Sequence, residues 1–251
     1  MFYSEDNYRH IIERYHSTQA RYSDIVIDYS SRNYNETRAD EYAKHGFLRR
    51  FMTIKRCIEK IFEILPPDQD NRPSTEDLTE AKIYLHAFIM NVFGCLDNLA
   101  WVWVYEKGLA HISANRNHVG LKRVNKSVRE TFSTEFQNYL MSMEDWFSYL
   151  GEFRDSLAHR IPLYIPPSQL NQREASLFEI LDQEKSIAFN NHDFELSEQI
   201  MNEQSALGTF KPIMTHSLNE GANLVFFHPQ MLADFYTIEE ICRKLFDELD
   251  L

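Results

Sequence analysis

Ala87-Phe88-Ile89-Met90-Asn91-Val92-Phe93-Gly94-Cys95-Leu96-Asp97-Asn98-Leu99-Ala100-Trp101-Val102-Trp103-Val104-Tyr105 is the stretch that decides the fold. It is the most apolar window of the chain. Its apolar side chains surround a helix instead of forming one stripe, the pattern of a helix buried on every side. Such a helix lies either in a protein core or in lipid. Asn91, Asp97 and Asn98 interrupt the run, and polar groups of this kind are costly in hydrocarbon. The stretch therefore reads as a central core helix, not a membrane span. Its helical pattern extends from about Glu76 to Lys107, with Ser74 or Thr75 as its cap after Pro73.

The flanking sequence supplies helices to surround it. From Glu5 to Ser31, Tyr8, Tyr15, Tyr22 and Tyr29 recur every seven residues with isoleucines and Val26 between them. That stripe packs either in the core or along a dimer seam. A second helix spans Thr37 to Leu65, with Phe47, Phe51, Ile54, Ile58 and Ile61 on one face, and Pro66-Pro67 ends it. Gly108 to Lys126 reads as a loop. Helical pattern resumes over Ser127–Met141 and Met143–Arg160, until Pro162, Pro166 and Pro167 break it. Gln172 to Ser205 is polar and weakly helical, enough for two short helices. Phe210–Thr215 and Leu224–His228 flank Asn219-Glu220-Gly221 as a small hairpin, and Pro229 opens a last helix to Leu249. The expected fold is mainly α: an antiparallel helical bundle with a small C-terminal β-hairpin and a final helix. One domain is expected over residues 1–251, with residues 1–165 as the bundle core and 166–251 as an extension packed on it.

Composition narrows the function classes. The 251 residues carry a formal charge of −12, which counts against a general nucleic-acid-binding surface. The charge is unevenly spread. Asn171 to Leu251 holds 15 acids against 5 Lys and Arg, whereas Lys107 to Arg129 holds no acid and includes Arg116, Lys122, Arg123 and Lys126. That basic segment is either a solvated loop or a contact for a phosphate backbone. Cys57, Cys95 and Cys242 are odd in number and widely spaced, which fits a reducing compartment and no disulfide framework. The acidic start, Met1-Phe2-Tyr3-Ser4-Glu5-Asp6, lacks the features of a secretory signal, so a cytoplasmic location and no membrane are expected. No HExxH, glycine-rich phosphate loop or GxSxG occurs, and the histidine spacings follow no metal-binding logic. Neither a metal nor a cofactor is expected.

The chemistry-bearing stretch is Phe153-Arg154-Asp155-Ser156-Leu157-Ala158-His159-Arg160, at the end of a helix before Ile161-Pro162. An arginine can hold a phosphate through two parallel hydrogen bonds. A histidine can move a proton near neutral pH. Asp155 and His159 share a helix face, so the carboxylate is expected to orient the imidazole. Arg154 and His159 lie about 140° apart around a helix, which favours a site completed by a second copy of the chain. The bland alternatives are Arg154 paired with Glu152 or Asp155, and His159 as a cation at a helix C-terminus. Asp97 and Asn98 are read either as anchors for Arg154 or His159 or as members of a structural hydrogen-bond network. Lys122, Arg123, Lys126 and Tyr164 are the candidate substrate contacts, with packing as the other reading of Tyr164.

Arg154-Asp155-x-x-x-His159 on a late helix of a helical body resembles the HEPN superfamily, over roughly residues 36–165. Arg9 to His16 and Arg38 to His45 have similar spacing, but only the third pair ends a helix before a proline-rich break. The resemblance implies a homodimer in which paired motifs form a metal-independent endoribonuclease. Arg154 would bind the scissile phosphate. His159 would take part in proton transfer or position the phosphate while the ribose 2′-hydroxyl attacks, leaving a 2′,3′-cyclic phosphate. Many relatives are toxins or defence effectors, some with neutralising protein partners. Others are inactive dimerisation or partner-binding modules, which is the alternative reading here.

Overall fold

The structure is a computed structural model, and it describes residues 2–69, 71–217 and 223–251. Helix α1 (Glu5–Ser31) starts at a Ser4 cap whose hydroxyl accepts from the Asn7 N–H. Helix α2 (Thr37–Glu41) runs through a π-helical segment (Tyr42–Phe47) into α3 (Leu48–Ile64). The sequence predicted one continuous helix here. The widened turn instead places Gly46 against the Asn98 side chain, where a Cβ would approach within 3.0 Å. Helix α4 (Thr75–Glu106) begins with a capping box between Ser74 and Asp77. It ends at Gly108, whose φ of +64° and N–H bond to the Tyr105 carbonyl form a Schellman turn with the Leu109-to-Val104 bond.

The predicted loop after α4 contains a short helix, α5 (Ala110–Ser113), and a 3₁₀ turn (Arg116–His118). The expected helix over Ser127–Met141 is two pieces, α6 (Lys126–Arg129) and α7 (Thr134–Ser142), because Ser133 caps a new helix. The motif helix, α8, spans Glu144–His159. Helices α9 (Gln172–Asn190) and α10 (Phe194–Ser205) are longer and more regular than their polar sequence suggested. Strands β1 (Ile213–Met214) and β2 (Val225–Phe226) pair antiparallel, Ile213 with Phe226 and Met214 with Val225. The proposed turn at Asn219-Glu220-Gly221 lies outside the described residues. Helix α11 (Phe227–Leu249) starts two residues before Pro229.

The fold is mainly helical, with a minimal β element. Side-chain contacts fix the directions of its body. Tyr15 stacks on Phe62 and Tyr22 on Phe51, so α1 and α3 are antiparallel. Ser17 meets Tyr236 and Tyr29 Oη donates to the Cys242 carbonyl at 2.6 Å, so α1 and α11 are parallel. Arg50 near the start of α3 reaches Asn98 late in α4, so α3 opposes α4 as well. Helix α3 thus runs against three helices that are parallel to one another. Helix α4 is the one described helix long and apolar enough to cross a bilayer, and 61% of its apolar 18-residue window is buried inside this bundle. Helix α11 contributes Phe235, Ile238, Ile241 and Leu245 to the same core. The α9–α10 pair has a separate small cluster of Leu181, Ala188 and Ile200.

Candidate functional site

One surface of α4 organises the site. Residues 91, 94 and 98 follow helical spacing, and Arg50 of α3 lies across them. Its Nε donates to Asn98 Oδ1 at 3.0 Å and one terminal nitrogen donates to Asn91 Oδ1 at 3.2 Å. Gly94 leaves room for it, since a Cβ would stand 2.5 Å from the Arg50 guanidinium. The Asn91–Asn98 pair is therefore a hydrogen-bond network around an arginine. The structure brings Asn98 to Arg50, not to Arg154 or His159.

Phe93 carries the second part. The Lys122 ammonium sits 4.3 Å from the centre of its ring, and the Arg154 guanidinium 4.9 Å. Both cations are held by the ring quadrupole. Lys122 also passes over Gly151 of α8, 3.8 Å from where a Cβ would be. Asp97, one turn beyond Phe93, is exposed at its edge. Its carboxyl is nevertheless raised above the usual range by the desolvating surroundings, and Lys122, Arg154 and Arg50 oppose that shift. Asp97 thus feels the charge of Arg154 without a hydrogen bond between them among the described residues.

Arg154 donates to Asp155 Oδ1 at 2.8 Å, and its Nε is buried without a hydrogen-bond partner. Asp155 was expected to orient His159. The structure gives it the neighbouring arginine instead, whose permanently charged guanidinium is a strong partner for a carboxylate. His159 is the last residue of α8. It is exposed and makes no hydrogen bond among the described residues. Arg154 and His159 of one chain do not converge.

The basic segment lies along α8. An open groove of about 400 Å³ is lined by Lys122, Arg123, Gly151, Glu152, Asp155 and Arg160. A neighbouring depression of about 450 Å³ is lined by Arg123, Lys126 and Arg129 together with Glu130 and Glu144. Of these cations, Arg129 is structural: it is buried, donates to the Leu121 carbonyl at 2.8 Å and pairs with Glu144 at 2.6 Å. Lys122 is half-buried, and Arg123 and Lys126 are exposed. Tyr164 is half-buried, and its backbone pairs both ways with Thr215 at 2.8 and 3.2 Å. That bridge ties the proline-rich exit of α8 to the strand region.

Sequence reasoning missed Phe93, Arg50 and His216. Phe93 resembled any core phenylalanine of α4, and no local pattern marks Arg50. His216 is buried, with its ring edge-on to Phe153 and its Nε2 3.4 Å from Glu152 of α8. Chain distance hides that contact from any reading of spacing. Among the described residues, no three His, Cys, Asp or Glu side chains are grouped to hold a metal ion. Compared with protein-family models, with curated proteins and with solved structures, the chain has no match.

Proposed function

We propose that this protein is a metal-independent endoribonuclease of HEPN type, acting in the cytoplasm as a homodimer in the manner of toxin or defence nucleases. The observation that supports it is the folding of the acid-free basic segment against the motif helix. Lys122 and Arg154 share the Phe93 ring, and Arg123 and Lys126 line the adjoining grooves, beside Glu130, Glu144, Glu152 and Asp155. In a strongly acidic molecule this is where a phosphate backbone is attracted.

The reaction needs only side chains of the chain. Arg154 exchanges its Asp155 partner for the scissile phosphate and stabilises the charge that builds on it. The ribose 2′-oxygen bonds to phosphorus as the bond to the 5′-oxygen breaks. One histidine accepts the 2′-hydroxyl proton and the partner chain's copy supplies a proton to the leaving oxygen, so protons balance. The exposed position of His159 at the end of α8 suits a site closed by a second α8. Lys122, Arg123, Lys126 and Tyr164 are assigned to RNA.

The alternative, an inactive HEPN-like module, is favoured by the Arg154–Asp155 pair, which neutralises the phosphate-binding cation within its own chain. Incubation of RNA pools in EDTA with the wild type, Arg154→Ala and His159→Ala separates the two readings. The nuclease reading requires cleavage by the wild type and loss of about 100-fold or more in each variant. An inert wild type that is folded and dimeric favours the module.

A further inference from the structure

The α9–α10 hairpin lines neither of the grooves beside α8, and most of its apolar surface is uncovered. Its own core is limited to Leu181, Ala188 and Ile200. On α9, Leu177, Ile180 and Ile187 are 42%, 53% and 61% exposed. They occupy three of the four positions of a coiled-coil seam, and exposed Glu184 occupies the fourth. Phe178, Phe189 and Phe194 are exposed as well, and the last two rings meet at 5.7 Å across the turn. Two helices alone cannot bury both sides of such a unit, and apolar area left in water forgoes about 25 cal/mol per Å².

Charge identifies what covers it. From Gln172 to Ser205 there are eight acids against Arg173 and Lys185. Lys185 is already bonded to Asp182 at 2.6 Å and Gln204 at 2.8 Å. Among the described residues, Glu184 has no ion pair. A second copy of the hairpin fits poorly. An antiparallel seam would set Ile180 against Glu184, a parallel one would set Glu184 against itself, and either would join two strongly acidic surfaces.

We propose that the α9–α10 hairpin is the docking surface for a basic amphipathic helix of a partner protein. That helix lies on the Leu177–Ile180–Ile187 seam and presents a lysine or arginine to Glu184. The partner contributes the third layer the hairpin lacks, with an apolar stripe for the seam and cationic flanks for the acidic rim. The inference does not depend on the ribonuclease reading.

The test uses the full chain and a fluorescent peptide of about 20 residues, about 30 Å of helix, with leucines at the heptad core positions and lysines flanking them. Two controls have glutamates in place of the lysines, or the same composition scrambled. Anisotropy is expected to show binding of the basic amphipathic peptide, weakened about tenfold or more in both controls. A similar loss is expected in the Ile180→Asp/Ile187→Asp chain and in Glu184→Lys, whose substituted positions are exposed; circular dichroism checks that each remains folded. No binding, equal binding by the scrambled peptide, or binding unchanged in both variants would overturn the proposal. Self-association that disappears in Ile180→Asp/Ile187→Asp would also overturn it, by making a second copy the occupant.

Discussion

Lys122 and Arg154 come from segments far apart in the chain and meet on one aromatic ring, Phe93. An ammonium resting on a ring is restrained without an ion-pair partner, which suits the phosphate contact proposed for Lys122. Lys122→Ala is therefore expected to weaken RNA binding and to lower the slope of log affinity against log salt by about one. Titrations at several salt concentrations check this; an unchanged slope would remove Lys122 from the interface. The residue types of this site were legible in the sequence, because the Arg-Asp-x-x-x-His run and the acid-free segment both stand out. Their partners were not. Asp155 serves the permanently charged Arg154 beside it, not the imidazole one turn away, and Asn98 serves Arg50, which sequence spacing could not connect to it.

Among the elements, α4 was the easiest to read and its neighbour the hardest. An all-round apolar helix with a capping box at one end and a glycine just beyond the other leaves little choice of boundary. The π-helical segment before α3 leaves no such mark, since its geometry answers to packing of Gly46 on Asn98, a tertiary effect. Helices α9 and α10 were underestimated because their apolar residues lie on several sides and give no single stripe. The α3–α4 contact makes a prediction of its own. Alanine is a better helix former than glycine by about 1 kcal/mol, yet a methyl at Gly94 occupies the space of the Arg50 guanidinium. Gly94→Ala is expected to displace Arg50 from Asn91 and Asn98 and to lower stability by about 1–2 kcal/mol in urea unfolding. A stabilised variant would mean that the arginine network contributes little.

At the scale of the whole molecule, two buried groups of α11 set opposing pH dependences. Burial holds His228 down to about 3 from 6.5, although the Leu65 carbonyl, 2.6 Å from Nε2, works the other way. Its contribution to stability is complete above 6.5 and is lost as pH falls toward about 3. Burial pushes Asp234 up from 3.8 to about 7, against the N–H groups of Trp146 and Gln230. Its contribution is complete below 3.8 and is lost as pH rises through about 7. Relative to the wild type, Asp234→Asn is expected to gain melting temperature as pH rises from about 4 to 7, and His228→Gln to be most costly above about pH 6.5. Thermal melts across that range check both, and parallel curves for the three proteins would contradict the assignment. The central claim, that two copies of this helical body place Arg154 and His159 around one RNA phosphate, is tested most directly by the chemistry of the cut ends. The measurement is end-group analysis of RNA incubated in EDTA with the wild type and with His159→Ala. The account predicts 2′,3′-cyclic phosphate and 5′-hydroxyl ends from the wild type and none above background from the variant. Ends bearing 5′-phosphate, or identical products from His159→Ala, would contradict it.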